Sequence, residues 1–201
     1  PTTIPGVKID EKNIISSTAA LSLNSVPKSL VVIGGGYIGL EMGSVYAGLG
    51  TQVSVVELQD GLLMGADRDL VRPLQRRLKK LFEDRIFLNT KVGGVSLSGD
   101  KVEVVFEGPG KFGTEQYDRV LVSVGRRPNT FDLGLETIGV QLDQRGFILH
   151  DDQMRTAVPN VFVIGDAAGE PMLAHKANHE GRLAVEVIHG QPVRFDKRAI
   201  P

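Results

Sequence analysis

Three stretches of the chain share one pattern, a short β-branched apolar run that ends in glycine: SLVVIG (29–34), RVLVSVG (119–125) and NVFVIG (160–165). Unbroken Val, Ile and Leu over this length predict strands covered on both faces, as in a parallel sheet. A glycine at the carboxyl edge of such a strand lets backbone approach a ligand in the crevice beyond it. Turn punctuation accounts equally well for any one of these glycines. Three in one chain favour a ligand edge.

The intervening pattern alternates. Tyr37 to Leu49 predicts a helix closed by Gly50, and QVSVVE (52–57) a second strand. From Asp67 to Phe82 a basic amphipathic helix is expected, with Leu70, Leu74, Leu78 and Leu81 on one face and Pro73 in its first turn or at a kink. Val92 to Phe106 reads as strands with turn signals at Gly93-Gly94 and Ser98-Gly99-Asp100, closed by Gly108-Pro109-Gly110. Arg126-Arg127-Pro128-Asn129 then breaks the pattern, and Pro171 to His189 predicts a last helix with Gly181 inside it. Strand–helix alternation of this kind is the order of an α/β fold.

The first glycine edge carries the most informative motif. Gly34-Gly35-Gly36-Tyr37-Ile38-Gly39 matches G-x-G-x-x-G, follows a predicted strand directly and opens a predicted helix. In that setting Gly34 permits the tight turn, Gly36 lets a pyrophosphate reach the backbone and Gly39 allows close helix–strand packing. The phosphates would sit at a helix N-terminus, where free N–H groups and the helix dipole favour anions. Glu57 ends the next strand, close to the ~20-residue spacing at which an acid meets the adenosine ribose. A solvated strand-end carboxylate is the alternative. Leu58, Gln59, Asp60 and Gly61 follow without an Arg or Lys to hold a 2′-phosphate, which favours NAD over NADP.

Composition narrows the class further. The chain has 201 residues, 41% hydrophobic and 23% charged, which excludes a disordered or fibrous protein. A net charge of −1 argues against nucleic acid or an anionic membrane as partner. No apolar run is long enough to span a bilayer, and the opening Pro-Thr-Thr resembles no signal peptide, so a cytoplasmic location is expected. Cysteine is absent, removing disulfides, thiol catalysis and thiolate metal sites together. His175 and His179 have the spacing of a helical metal pair but no third ligand, so no metal is expected. Arg72, Arg76, Arg77, Lys79 and Lys80 read as a solvated helix face. Asp166, after the third glycine edge, either points into a ligand crevice or caps the turn that follows.

Four stretches, VVIGGGYIGLEMGSVYAGLG (31–50), VLVSVGRRPNT (120–130), RGFI (145–148) and TAVPNVFVIGDAAGEPMLAHKANHEG (156–181), resemble the dihydrolipoamide dehydrogenase family of flavin-dependent disulfide reductases. Their order and spacing are similar throughout, and PMLAHKA is the most discriminating. The resemblance implies an α/β fold, with a Rossmann-like NAD-binding domain of parallel sheet and small β-meander over 27–147. Residues 1–26 would be a connecting segment of an FAD-binding domain, and 148–201 the C-terminal part of that domain.

The resemblance also implies roles. Gly34, Gly35, Gly36, Tyr37, Ile38 and Gly39 would hold the pyrophosphate of NAD, and Glu57 its ribose. Val92 would flank the adenine. Glu41, Ser123, Val124, Gly125 and Arg126 would line the nicotinamide side, and Tyr37 would cover the flavin until the nicotinamide displaces it. Asp166 would bond the ribityl chain of FAD, with Met172, Leu173, Ala174 and His175 offering backbone groups to the flavin edge. The family's redox disulfide, its ADP-binding motif for FAD and its His-Glu acid–base pair match nothing here. No catalytic residue is therefore expected in this segment, and the chain alone is expected to be inactive. The intact enzyme would be a homodimer oxidising lipoyl domains of 2-oxo acid dehydrogenase complexes or of the glycine cleavage system. A stand-alone NAD-binding or regulatory module is the alternative.

Overall fold

The computed structural model describes residues 4–196 and 200; the ends of the expected first and last segments (1–3, 197–199 and 201) lie outside the described residues. In chain order the elements are β1 (Ile14–Ile15), α1 (Ser17–Ala20), β2 (Ser29–Ile33), α2 (Tyr37–Gly48), β3 (Gln52–Val56) and α3 (Arg68–Leu81). There follow β4 (Ile86–Phe87), β5 (Lys91–Ser98), β6 (Lys101–Glu107), β7 (Gly113–Tyr117), β8 (Arg119–Val122) and α4 (Ala174–Ile188), with 3-10 turns at Leu135–Ile138 and Gly165–Ala167. The chain divides into two compact units, Pro1–Arg126 and Arg127–Pro201.

The first unit is built on a five-stranded parallel sheet in the order β1-β8-β2-β3-β4. Its unbroken apolar runs follow from burial on both faces. Leu30, Val32, Val53, Val55 and Leu121 pack with Leu40 and Tyr46 of α2, Val71 and Leu78 of α3, and Phe82. Val31, Ile33, Val56, Val120 and Val122 face the other way, onto Val102, Val104, Phe106 and Tyr117 of the antiparallel sheet β5-β6-β7. The result is an α/β fold of three layers, with the meander as the third.

Ser54 is the polar exception on the meander face, and it is fully buried. Its hydroxyl accepts from Arg85 Nε at 2.8 Å and from Tyr117 Oη at 3.2 Å. The Arg85 guanidinium also pairs with Glu115, which Lys111 approaches at 3.0 Å. Burial drives the Tyr117 phenol up to about 12. Burial also pushes the Glu115 carboxyl upward, but hydrogen bonds from Arg85, Lys111 and Tyr117 outweigh it and hold the group below its ordinary 4.5. A carboxyl lowered in the folded state stabilises above its ordinary value, and the stabilisation disappears as pH falls through the lowered value. Glu115→Gln is therefore expected to have a lower urea midpoint than the parent at neutral pH and to converge on it in acid. A gap that stays constant down the acid limb would refute this.

Several elements differ from the sequence expectation. NVFVIG (160–165) forms no strand; its one ladder contact is the isolated bridge Arg155↔Phe162. The run is divided between two small clusters instead. Val163 packs with Val140, Ile148 and Ala168, while Phe162 packs with Met154, Leu183, Ala184 and Val187. Gly93-Gly94 makes no turn but a register shift inside β5, a bulge that bends the strand. The hairpin turn lies at Gly99, with φ +61, where the Ser98-Gly99-Asp100 signal placed one. α3 is present as one continuous helix, capped by the Asp67 side chain and with Pro73 inside it, but the buried row is Val71, Leu78 and Phe82. Leu70 is 75% exposed, and Leu74 and Leu81 are more than a third exposed. The helix is rotated so that those three flank the buried stripe rather than form it.

The second unit holds the two 3-10 turns, α4 and the two isolated bridges Leu142↔Ile148 and Arg155↔Phe162. Among the described residues no helix is long and apolar enough to cross a membrane.

Candidate dinucleotide site

In a parallel sheet all carboxyl ends share one edge, and here β2, β3 and β8 bring Gly34, Glu57 and Ser123 to it. Gly34 donates its N–H to Val56 O at 2.8 Å and turns with φ +110. A Cβ there would stand 2.6 Å from Ser123 O. Gly39 is equally confined, since its Cβ would meet Gly34 O, Ser123 Oγ at 2.5 Å and Val32 Cγ1 at 2.8 Å. Ser123 cannot retreat easily, because its N–H and its Oγ both donate to Ile33 O.

Gly36 is the opposite case. A Cβ there would have nothing within 4 Å. It is the N-cap of α2, in extended backbone, with no side-chain cap and no acid in the first turn. The first-turn N–H groups, which no helix can satisfy internally, therefore face an open cradle suited to a diphosphate.

Glu57 is not a loose strand-end acid. Its Oε2 accepts the Gly35 N–H at 2.6 Å and its Oε1 accepts the Gln59 N–H at 2.8 Å. The carboxylate is thus oriented by two backbone donors, and each oxygen keeps a lone pair for a further donor such as a ribose hydroxyl. Gly35 has no room for a side chain, because its Cβ would lie 2.7 Å from Leu62 Cδ2 and 3.1 Å from Glu57 Oε2.

The remaining predicted residues of this unit are placed as follows. Gly125 turns with φ +126, and Arg126 Nη1 donates to Tyr37 Oη at 3.4 Å. Tyr37 and Glu41 are exposed on α2, Ile38 and Ser123 are half-buried, and Val124 is partly exposed beside Gly125. Val92 is 8% exposed, with its side chain in the core between the sheet and the meander.

In the second unit Asp166 lies in the 3-10 turn Gly165–Ala167. Met172 precedes α4, Leu173 is its N-cap without a side-chain cap, and Ala174 and His175 open its first turn. A pair missed in the sequence stands behind them. Lys176 Nζ and Glu180 Oε1 are 2.8 Å apart, with side chains 2% and 1% exposed. Glu180 Oε2 accepts the Gly165 N–H at 2.6 Å, and Lys176 Nζ donates to Gly165 O at 3.0 Å. Both backbone groups of Gly165, at φ +72, are thereby held by one buried ion pair. The i,i+4 spacing was the available signal, but on a helix it reads first as a surface pair. His179 packs its ring on Phe195, 5.4 Å between centroids.

Residues 1–181 match the pyridine nucleotide-disulphide oxidoreductase family. The chain is 45% identical over 201 residues to a dihydrolipoyl dehydrogenase of Bacillus subtilis, covering all of this chain and 43% of the relative. It is 49% identical over 204 residues to the mitochondrial dihydrolipoyl dehydrogenase of Dictyostelium discoideum, covering 42% of that protein. Among solved structures it is similar to LpdA of Mycobacterium tuberculosis, with a TM-score of 0.87, 29% identity and coverage of 100% of this chain and 43% of the other. The flavoprotein disulfide reductase RclA of Escherichia coli gives a TM-score of 0.87 at 26% identity, over 98% of this chain and 45% of the other. The chain thus spans less than half the length of the curated relatives it matches. With the glycine edge, the oriented acid and this breadth of likeness together, the chain belongs to the pyridine nucleotide-disulphide oxidoreductase family.

Proposed function

We propose that the first unit binds NAD(H) and that the second contributes part of an FAD site, within a protein that oxidises protein-bound dihydrolipoyl groups. The observation carrying this reading is the open Gly36 cradle beside a Glu57 carboxylate already fixed on Gly35. The first-turn N–H groups of α2 would hold the pyrophosphate, and Glu57 the two adenosine ribose hydroxyls. Tyr37, Glu41 and the 123–126 segment lie toward the nicotinamide half. Asp166 would bond the ribityl chain, and the segment Met172 to His175 at the start of α4 would meet the edge of a flavin. FAD, when bound, supplies a two-electron relay between a dithiol and the nicotinamide. The dithiol chemistry itself requires thiols that this chain lacks. Lipoyl domains are the substrate class, a homodimer the assembly and the cytoplasm the setting that go with this reading.

A carboxylate accepting two hydroxyl hydrogen bonds contributes about 1.5–3 kcal/mol, or roughly 10- to 150-fold in affinity. Glu57→Ala is therefore expected to weaken NADH binding by that factor and to narrow the preference over NADPH, whose 2′-phosphate the carboxylate repels. Titration of both nucleotides by nicotinamide fluorescence measures this. Equal NADH affinity in parent and variant would remove Glu57 from the site.

A further inference from the structure

Arg68 opens α3, and its guanidinium turns back onto the loop that follows Glu57. Nη1 donates to Leu62 O at 2.9 Å, Nη2 to Leu63 O and to Ala66 O at 3.0 Å, and Nε to Ala66 O at 3.2 Å. All three nitrogens of the fork are thus occupied by carbonyls of one loop, which a lysine's single ammonium cannot reproduce. That loop needs holding, because Leu63 sits at φ +49, a left-handed conformation unfavourable for a branched side chain.

The loop in turn grips the glycine edge. Leu63 N–H donates to Gly35 O at 3.0 Å, and Leu62, 1% exposed, packs directly on Gly35. Gly35 N–H is the donor that orients Glu57. The Gly35 residue is therefore fixed from both sides, by the Arg68-held loop through its carbonyl and by Glu57 through its amide.

We propose that Arg68 is a positioning residue for the adenosine end of the dinucleotide site, setting the Glu57 carboxylate through the Leu62–Leu63 loop and Gly35. This rests on the dinucleotide reading above and adds to it a specificity device. Arg68 is the first cation after Glu57 in the sequence, and its N–H groups are engaged by the carbonyls of Leu62, Leu63 and Ala66 rather than left free to grip a 2′-phosphate.

The test uses the full chain and its Arg68→Met, Arg68→Lys and Glu57→Ala variants, with the Arg68→Met/Glu57→Ala double variant. Dissociation constants for NADH, NADPH and ADP-ribose are measured well below each thermal midpoint. Arg68→Met is expected to weaken NADH and ADP-ribose alike by about tenfold, with Arg68→Lys intermediate, and to have little further effect once Glu57 is Ala. A merely structural role would lower the thermal midpoint and leave the affinities of the folded protein unchanged. NADH affinity within about twofold of the parent in Arg68→Met, or a full additive loss in the double variant, overturns the proposal. Should Arg68→Met fail to fold, Arg68→Lys decides on the same criteria. Failure of the parent chain to bind NADH or ADP-ribose would instead overturn the dinucleotide reading, and this one with it.

Discussion

Replacing Lys176 by Met is expected to unfold the second unit under conditions in which the first stays intact. The substitution keeps volume but leaves the Glu180 carboxylate, 1% exposed, without its counter-charge 2.8 Å away. Removing one member of a buried pair costs about 3–5 kcal/mol, because the remaining ion stays desolvated and unpaired. The carbonyl of Gly165 loses its donor as well. Against such a loss the described residues of the unit set two small apolar clusters and α4. The three tyrosines, Tyr37, Tyr46 and Tyr117, all lie in the first unit, so tyrosine fluorescence follows that unit alone. Far-UV circular dichroism should lose the α4 signal at low urea while tyrosine fluorescence holds to the parental midpoint. A shift of the first dichroism transition equivalent to less than about 1 kcal/mol would show that the pair is not needed.

A pair of glycine substitutions separates fold from binding at the other site. Gly39→Ala places a methyl 2.5 Å from Ser123 Oγ and 2.8 Å from Val32 Cγ1, so α2 must lift away from β2. Overpacking of this kind costs about 1–3 kcal/mol, with the upper end expected where the neighbours are backbone and a tethered serine. Gly36→Ala puts its methyl in open space at a negative φ and should leave the melting temperature unchanged. That methyl nevertheless occupies the cradle against which a pyrophosphate would press. Gly36→Ala is expected to lose most of its NADH affinity at full stability, and Gly39→Ala to lose both. Thermal melts and NADH titrations on the two proteins check it, and undiminished binding in Gly36→Ala would move the phosphates elsewhere.

These contrasts explain which features could be read in advance. β2, α2 and β3 were legible because local pattern and tertiary demand agree: runs covered on both faces, then a helix whose small residues meet the sheet. The place of Glu57 at the end of β3 was legible from the strand pattern, although its grip on Gly35 and Gln59 depends on a loop conformation that spacing does not encode. NVFVIG had the composition of a strand, but among the described residues its ladder stops at the single bridge to Arg155, and the extent of pairing is something composition cannot name. α3 was placed correctly but its face was not, since leucines alone define a stripe about one residue too far round. Lys176 and Glu180 were unreadable for a different reason. Charged residues on a helix are ordinarily solvated, and only the turn at Gly165 supplies the two backbone groups that make their burial tolerable.

The strand order of the first unit also governs how it must assemble. β8, at Arg119–Val122, lies between β1 and β2, so neither earlier strand has its inner neighbour until the end of the unit is in place. During synthesis β2 therefore waits as an edge, apolar on both faces, while the meander that covers one of those faces is still being made. Such a topology delays closure until its most distant pairing forms, and it exposes sticky strand backbone in the interval. The insertion of four residues, Arg119 to Val122, is the event that joins this open ribbon to β1 and completes the five-stranded sheet.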